Sequence, residues 1–97
     1  MVQPNPIDVK AAVKIAIKYL EEFQDIIPTR HIRLEETEYV DSGDWLITLS
    51  TVDDSAAPMG QLAVALGNAK RDYRIFRIDA ETGNVKSMKV RSLQPVD

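Results

Sequence analysis

His31 is the only histidine in the chain, so an imidazole general base or metal ligand would have to work alone. Both roles need partners at a fixed spacing. The sequence has no His pair, no HExxH and no glycine-rich phosphate loop. Beside Arg30 and Arg33, at the start of an alternating run, His31 reads as a solvated structural residue. The pairs Asp41/Asp44 and Asp53/Asp54 suggest calcium by type, but neither stretch has the regular ligand spacing and closing glutamate of an EF-hand loop. Both read as turns. Glu35, Glu36 and Glu38 lie adjacent or alternate on one strand and solvate a face rather than divide acid and base duties. With no cysteine, there is no thiolate nucleophile, no disulfide framework and no cysteine-based zinc site. The expectation is a protein that is not an enzyme, with no catalytic residues, no metal and no cofactor.

The charged groups are better suited to recognition. The formal net charge is −3, but the balance shifts along the chain: residues 1–52 hold five basic and nine acidic side chains, residues 53–97 seven and six. The late basic residues are Lys70, Arg71, Arg74, Arg77, Lys86, Lys89 and Arg91. Of these, Arg74, Arg77, Lys86, Lys89 and Arg91 are the candidate binding surface for an acidic protein partner. Their alternative use is cross-strand pairing with Glu35, Glu36 and Glu38. Tyr73, Phe76 and Trp45 could stack on bases. However, the net acidity opposes the phosphate attraction that dominates nucleic-acid affinity. Trp45 and Phe76 are therefore assigned to the core, and no nucleic acid is expected.

A small scaffold must position these groups. Ninety-seven residues fit a single domain, 1–97, because a chain of this length buries roughly two thirds of its unfolded surface around one core. Residues 1–4 and 92–97 are expected to be flexible ends. From Pro6 to Ile27, Val9, Ala12, Val13, Ala16, Tyr19, Leu20, Phe23 and Ile27 recur at steps of three and four, which predicts one long amphipathic helix. Ile15, Ile17 and Ile26 widen its buried stripe. Asn5 is the expected N-cap, with Pro6 at the first helical position and Pro28 as the stop. Alternation predicts strands over His31–Val40 and Trp45–Val52, joined through Asp41-Ser42-Gly43-Asp44. It places Trp45, Ile47 and Leu49 on one face, with Thr48 and Ser50 on the other. Residues 62–66 read as strand or helix. Asp72–Ile78 and Val85–Arg91 form a last hairpin around a turn in which Gly83 takes positive φ. The segment Met1–Pro6 lacks the basic patch and apolar run of a secretory signal, and no stretch reaches the roughly 18 apolar residues of a membrane span. A cytoplasmic protein without a membrane partner is expected.

The run Tyr73-Arg-Ile-Phe-Arg-Ile-Asp79-Ala-Glu-Thr-Gly83-Asn-Val85-Lys-Ser-Met resembles the closing hairpin of PepSY-like domains, where a strand ends in an Asp-x-x-Thr-Gly turn and a valine starts the next. With the upstream helix and hairpin, the resemblance spans most of the chain. It implies a cystatin-like α+β fold: the long N-terminal helix lies across a curved antiparallel sheet of four or five strands. It also implies that Asp79, Thr82 and Gly83 are turn residues. PepSY domains are typically exported or membrane-attached and many are thought to restrain peptidases, whereas this chain shows no export signal. The functional expectation is a non-enzymatic binding or regulatory module acting through its sheet on a protein partner, with a homodimer through a sheet edge or face compatible with it. The competing readings are an immunity or antitoxin-like inhibitor of one cognate enzyme, and a small-ligand-binding protein.

Overall fold

The computed structural model describes residues 6–27, 29–52 and 71–91. In chain order these form α1 (Val9–Glu21), β1 (Arg30–Val40), β2 (Asp44–Val52), β3 (Arg71–Asp79) and β4 (Val85–Arg91). The strands make one antiparallel sheet in the order β1-β2-β3-β4, each paired with its sequence neighbour. Among the described residues the fold is α+β, one helix against an open four-stranded meander. The expected element at 62–66, the cap at Asn5, the stop at Pro28, the pair Asp53/Asp54, Lys70 and the ends at 1–4 and 92–97 lie outside the described residues.

The helix is shorter than its periodicity predicts: 13 residues, Val9–Glu21, rather than Pro6 to Ile27. Asp8 is the N-cap, its Oδ1 accepting from Ala11 N at 2.8 Å, and this satisfies one of the free amides of the first turn. The sheet claims the residue before it. Ile7 N donates to Ala80 O at 2.7 Å, and Ile7 O accepts from Trp45 Nε1 at 2.8 Å. Ile7 is therefore fixed by tertiary hydrogen bonds and is not available for a helical turn. At the other end, Glu22 N is shared between Lys18 O and Tyr19 O, and Phe23 N and Gln24 N bond three residues back. The ladder thus tightens into turns before Ile27. Ile26 falls in that segment and is 75% exposed, outside the stripe it was expected to widen.

Ala12, Ala16 and Leu20 are buried at four-residue spacing against Ile47 and Leu49 of β2 and Phe76 and Ile78 of β3. The two alanines allow close approach of helix and sheet, and Leu20 and Phe76 supply the bulk. Burial of each large side chain is worth about 1.5–3 kcal/mol. Tyr19 stacks edge-on to Phe76 at 6.2 Å, and Tyr39 to Trp45 at 5.1 Å.

Two glycines close the hairpins in the left-handed region, Gly43 at φ +86° and Gly83 at φ +79°. In the second turn, Asp79 Oδ1 accepts from Glu81 N and Thr82 N, Gly83 N donates to Asp79 O at 2.8 Å, and Thr82 Oγ1 accepts from Asn84 N. Ala80, buried at the same corner, donates to Gly43 O at 3.0 Å, so the two turns and the helix start are tied together.

Candidate functional site

Strand parity divides the charged residues. Ile47 pairs with Phe76 on the helix-covered face, so Leu49, Arg74 and Val90, joined by the same register, also lie on that face. The opposite face has three rows that cross all four strands, between a row of Val40, Asp44 and Asp79 at one end and a row of Arg30, Val52 and Arg71 at the other. Glu38, Leu46, Arg77 and Ser87 form one, Glu36, Thr48, Ile75 and Lys89 the next, and Arg33, Ser50, Tyr73 and Arg91 the third. Of the five predicted basic residues, Arg77, Lys89 and Arg91 share this face. Lys86, the extra residue at the register shift between Arg77 and Ile78, reaches it with its ammonium. Arg74 is on the other side of the sheet.

The open face carries a groove of about 270 Å³ lined by Glu36, Glu38, Leu46, Thr48, Ile75 and Arg91. It adjoins a hollow of about 170 Å³ bounded by Glu35, Glu36, Thr48, Tyr73 and Arg91. The floor comes from the two central strands, and the walls come from the two edges with opposite charge. The β1 side presents Glu35, Glu36 and Glu38 with Arg33 beside Glu35; the β4 side presents Lys86, Lys89 and Arg91. Arg91 pairs with Glu36 across the floor. Glu38 and Lys89 make no ion pair among the described residues. Thr48 is only 3% exposed, yet its hydroxyl makes no hydrogen bond among the described residues.

One end of the face is closed by Asp44, 2% exposed at the start of β2. Its Oδ2 accepts from Ser42 Oγ at 3.0 Å and lies 3.4 Å from Arg77 Nε, while Lys86 Nζ stands 2.8 Å from Oδ1. Oδ1 has no well-directed hydrogen bond, so the Lys86 contact is best described as an ion pair. The Lys86 ammonium, with Ser42 and Arg77, holds the Asp44 carboxyl below its ordinary value of 3.8, against the opposing effect of burial. The same contact raises Lys86 above 10.5. At the other end, Glu35 Oε2 accepts from Ser50 Oγ and from Arg33 Nε, each at 2.6 Å, and Arg71 Nε donates to Ser50 Oγ at 2.8 Å. The Ser50 hydrogen bond, then Arg33, depresses the Glu35 carboxyl below 4.5.

His31 is exposed at φ +55°, where β1 shifts register between Arg30 and Arg33, and its carbonyl accepts from Arg71 Nη2. Its backbone is thus tied to β3 while its ring faces solvent. Among the described residues, no group of three or more His, Asp or Glu side chains is placed to hold a metal ion, and no helix is long and apolar enough to cross a membrane. The Asp44 cluster was missed by sequence reasoning because it forms only once the strand register brings Arg77 and Lys86 together.

No family model, no curated protein and no solved structure matches this chain. Among the described residues, fold and groove together define a helix-on-meander α+β arrangement, with one sheet face under the helix and a groove between Glu36, Glu38 and Arg91 on the other.

Proposed function

We propose that this chain is a non-enzymatic binding or regulatory module, PepSY-like in type, that acts in the cytoplasm through its sheet on a protein partner. The observation carrying this reading is the groove on the sheet face away from the helix: a polar and apolar floor of Leu46, Thr48 and Ile75 between walls of opposite charge. Its volume of about 270 Å³ is below the range of roughly 300–1,000 Å³ usual for enclosed small-molecule sites. A shallow surface of this kind suits another protein better than a buried ligand. The Asp-x-x-Thr-Gly turn and the single helix across an antiparallel sheet support the PepSY-like assignment.

The basic residues contribute unequally to this reading. Arg77, Lys86 and Arg91 each meet a carboxylate of this chain, which leaves Lys89, among the described residues of this face, as the cation available to an acidic partner. The test uses the full chain as bait, followed by association kinetics of the captured protein at low and high salt. Lys89→Glu should slow association severalfold at low salt and weaken its salt dependence, because rim charges act mainly on the on-rate. A partner bound equally fast by the charge-reversed protein would remove this face from consideration.

A further inference from the structure

We propose that the groove on the open sheet face receives a lysine side chain of the protein partner, its alkyl stem on Leu46 and Ile75 and its ammonium beside Glu36, Glu38 and Thr48. The inference rests on the reading of this face as a protein-binding surface and names the chemistry that the partner places in it. Its basis is what the lining residues leave unmatched.

The charge of the groove is one-sided. Its lining holds the carboxylates of Glu36 and Glu38 and the guanidinium of Arg91. Arg91 pairs with Glu36, and Glu38 makes no ion pair among the described residues, so the surplus is negative and sits at Glu38. The other cations of this face stand outside the lining. Arg33 is held by Glu35, and Arg77 and Lys86 by Asp44, while Ile75 separates Lys89 from Thr48 in their row.

Thr48 gives an independent indication of a ligand. It stands opposite Glu36 and lines both the groove and the adjoining hollow. It is 3% exposed, and its hydroxyl makes no hydrogen bond among the described residues. The side-chain oxygens both sealed from solvent and without a hydrogen bond there are Asp44 Oδ1 and Thr51 Oγ1, so what Thr48 exposes includes its hydroxyl. An unmatched hydroxyl in so buried a residue is costly, and a donor entering the groove removes that cost. An ammonium brings three donors and no acceptor, which suits a hydroxyl oxygen beside two carboxylates. The floor selects the stem. Leu46 and Ile75 are apolar and half-buried, and lysine covers such surface with its methylenes while its charge reaches beyond. A bare metal ion would leave that floor uncovered.

The test is amide NMR of the full chain titrated at low salt with the blocked peptide acetyl-Gly-Gly-Lys-Gly-Gly-amide. The expected result is a saturable shift of the Glu36, Glu38, Leu46, Thr48 and Ile75 amides in the millimolar range, weakened by salt. Peptides with Nε-acetyllysine or norleucine in place of lysine keep the stem without the charge, and should bind at least about threefold more weakly. Glu38→Gln and Thr48→Val should each weaken the lysine peptide by about threefold. Glu21→Gln, which removes the same charge from the exposed side of α1, should leave it unchanged, and circular dichroism checks the fold of each variant. No saturable shift, a norleucine peptide that binds as well as lysine, or a Glu38→Gln variant that behaves like Glu21→Gln would overturn the inference. A partner whose association depends on Lys89, with no binding of the lysine peptide, would overturn the lysine site alone. A lysine peptide that binds at these residues, with partner capture indifferent to Lys89, would support the lysine site and overturn the Lys89 contact instead.

Discussion

Replacing Gly83 by valine tests how the last hairpin is held to the helix. Gly83 is at φ +79°, and a Cβ built there would lie 3.2 Å from Ile15 Cδ1 on α1. Two costs therefore combine. A left-handed backbone costs an L-residue about 1–2 kcal/mol, and a β-branched side chain is a particular outlier there. Forcing a methyl-sized group into a filled contact adds about 1–2 kcal/mol, toward the low end for overpacking because Ile15 is at the core margin. Together they predict a loss of about 2–4 kcal/mol, a large fraction of the roughly 5–15 kcal/mol that stabilises a small domain. At about 4–8 °C per kcal/mol for this chain length, the melting temperature should fall by roughly 10–25 °C.

The two costs separate in a double-mutant cycle read by urea unfolding. Ile15→Ala removes the atom that Gly83 approaches, so Gly83→Val should cost about 1 kcal/mol less in that background. Gly83→Asn, which tolerates the left-handed region, should be milder than valine in both backgrounds. A valine variant that melts within about 2 °C of wild type, or equal losses for asparagine and valine, would show that the turn does not depend on left-handed geometry.

Leu20→Asp places a carboxylate in a site 1% exposed among Ile47, Leu49 and Phe76. The penalty of several kcal/mol should leave the chain unfolded by circular dichroism, and an unchanged melting temperature would refute the core assignment. Asp44 and Glu35 both have folded pKa values below their ordinary 3.8 and 4.5. The unfolded chain therefore binds more protons in the acid range, so their stabilisation is complete above about pH 5 and lost as pH falls through the folded values. Lys86 has the opposite sign: raised above 10.5, its contribution is complete below that value and lost as pH rises through the folded one. Asp44→Asn should lower stability at neutral pH and flatten both limbs in urea unfolding, leaving only the Glu35 share on the acid side. Limbs as steep as wild type would show that Asp44 is not the titrating group.

The centre of the helix was legible because Ala12, Ala16 and Leu20 repeat at the spacing that buries one face. Its ends were not, because what stops it is tertiary: Ile7 is held by Ala80 and by Trp45, which lies 38 residues further along the chain. Alternation in β2 placed Ile47 and Leu49 together, and Thr48 and Ser50 opposite, as the register does. The same parity separates Arg74 from Arg77, three residues apart on one strand, so grouping them by charge ignored a signal that was present. Asp44 carried no such signal. In Asp-Ser-Gly-Asp it looks like any turn residue. Its ion pairs depend on Arg77, which stands opposite Leu46, the next β2 residue on that face, and on the register shift that brings in Lys86.

Those irregularities also bear on which surface can bind. An edge strand invites pairing through its free backbone groups, and proteins suppress this with bulges and charged side chains. Both outer strands of the described sheet carry these features. β1 shifts register twice, between Arg30 and Arg33 and between Leu34 and Glu36, and carries Arg33, Glu35, Glu36 and Glu38. β4 shifts once beside Lys86 and carries Lys89 and Arg91. The extra residues break the regular ladder that an added strand would need. Pairing at β4 would also crowd Lys86, Lys89 and Arg91 against the same residues of an incoming copy of that strand. With the other face under α1, the groove between Glu36, Glu38 and Arg91 is the part of the described sheet that the proposed protein contact would use.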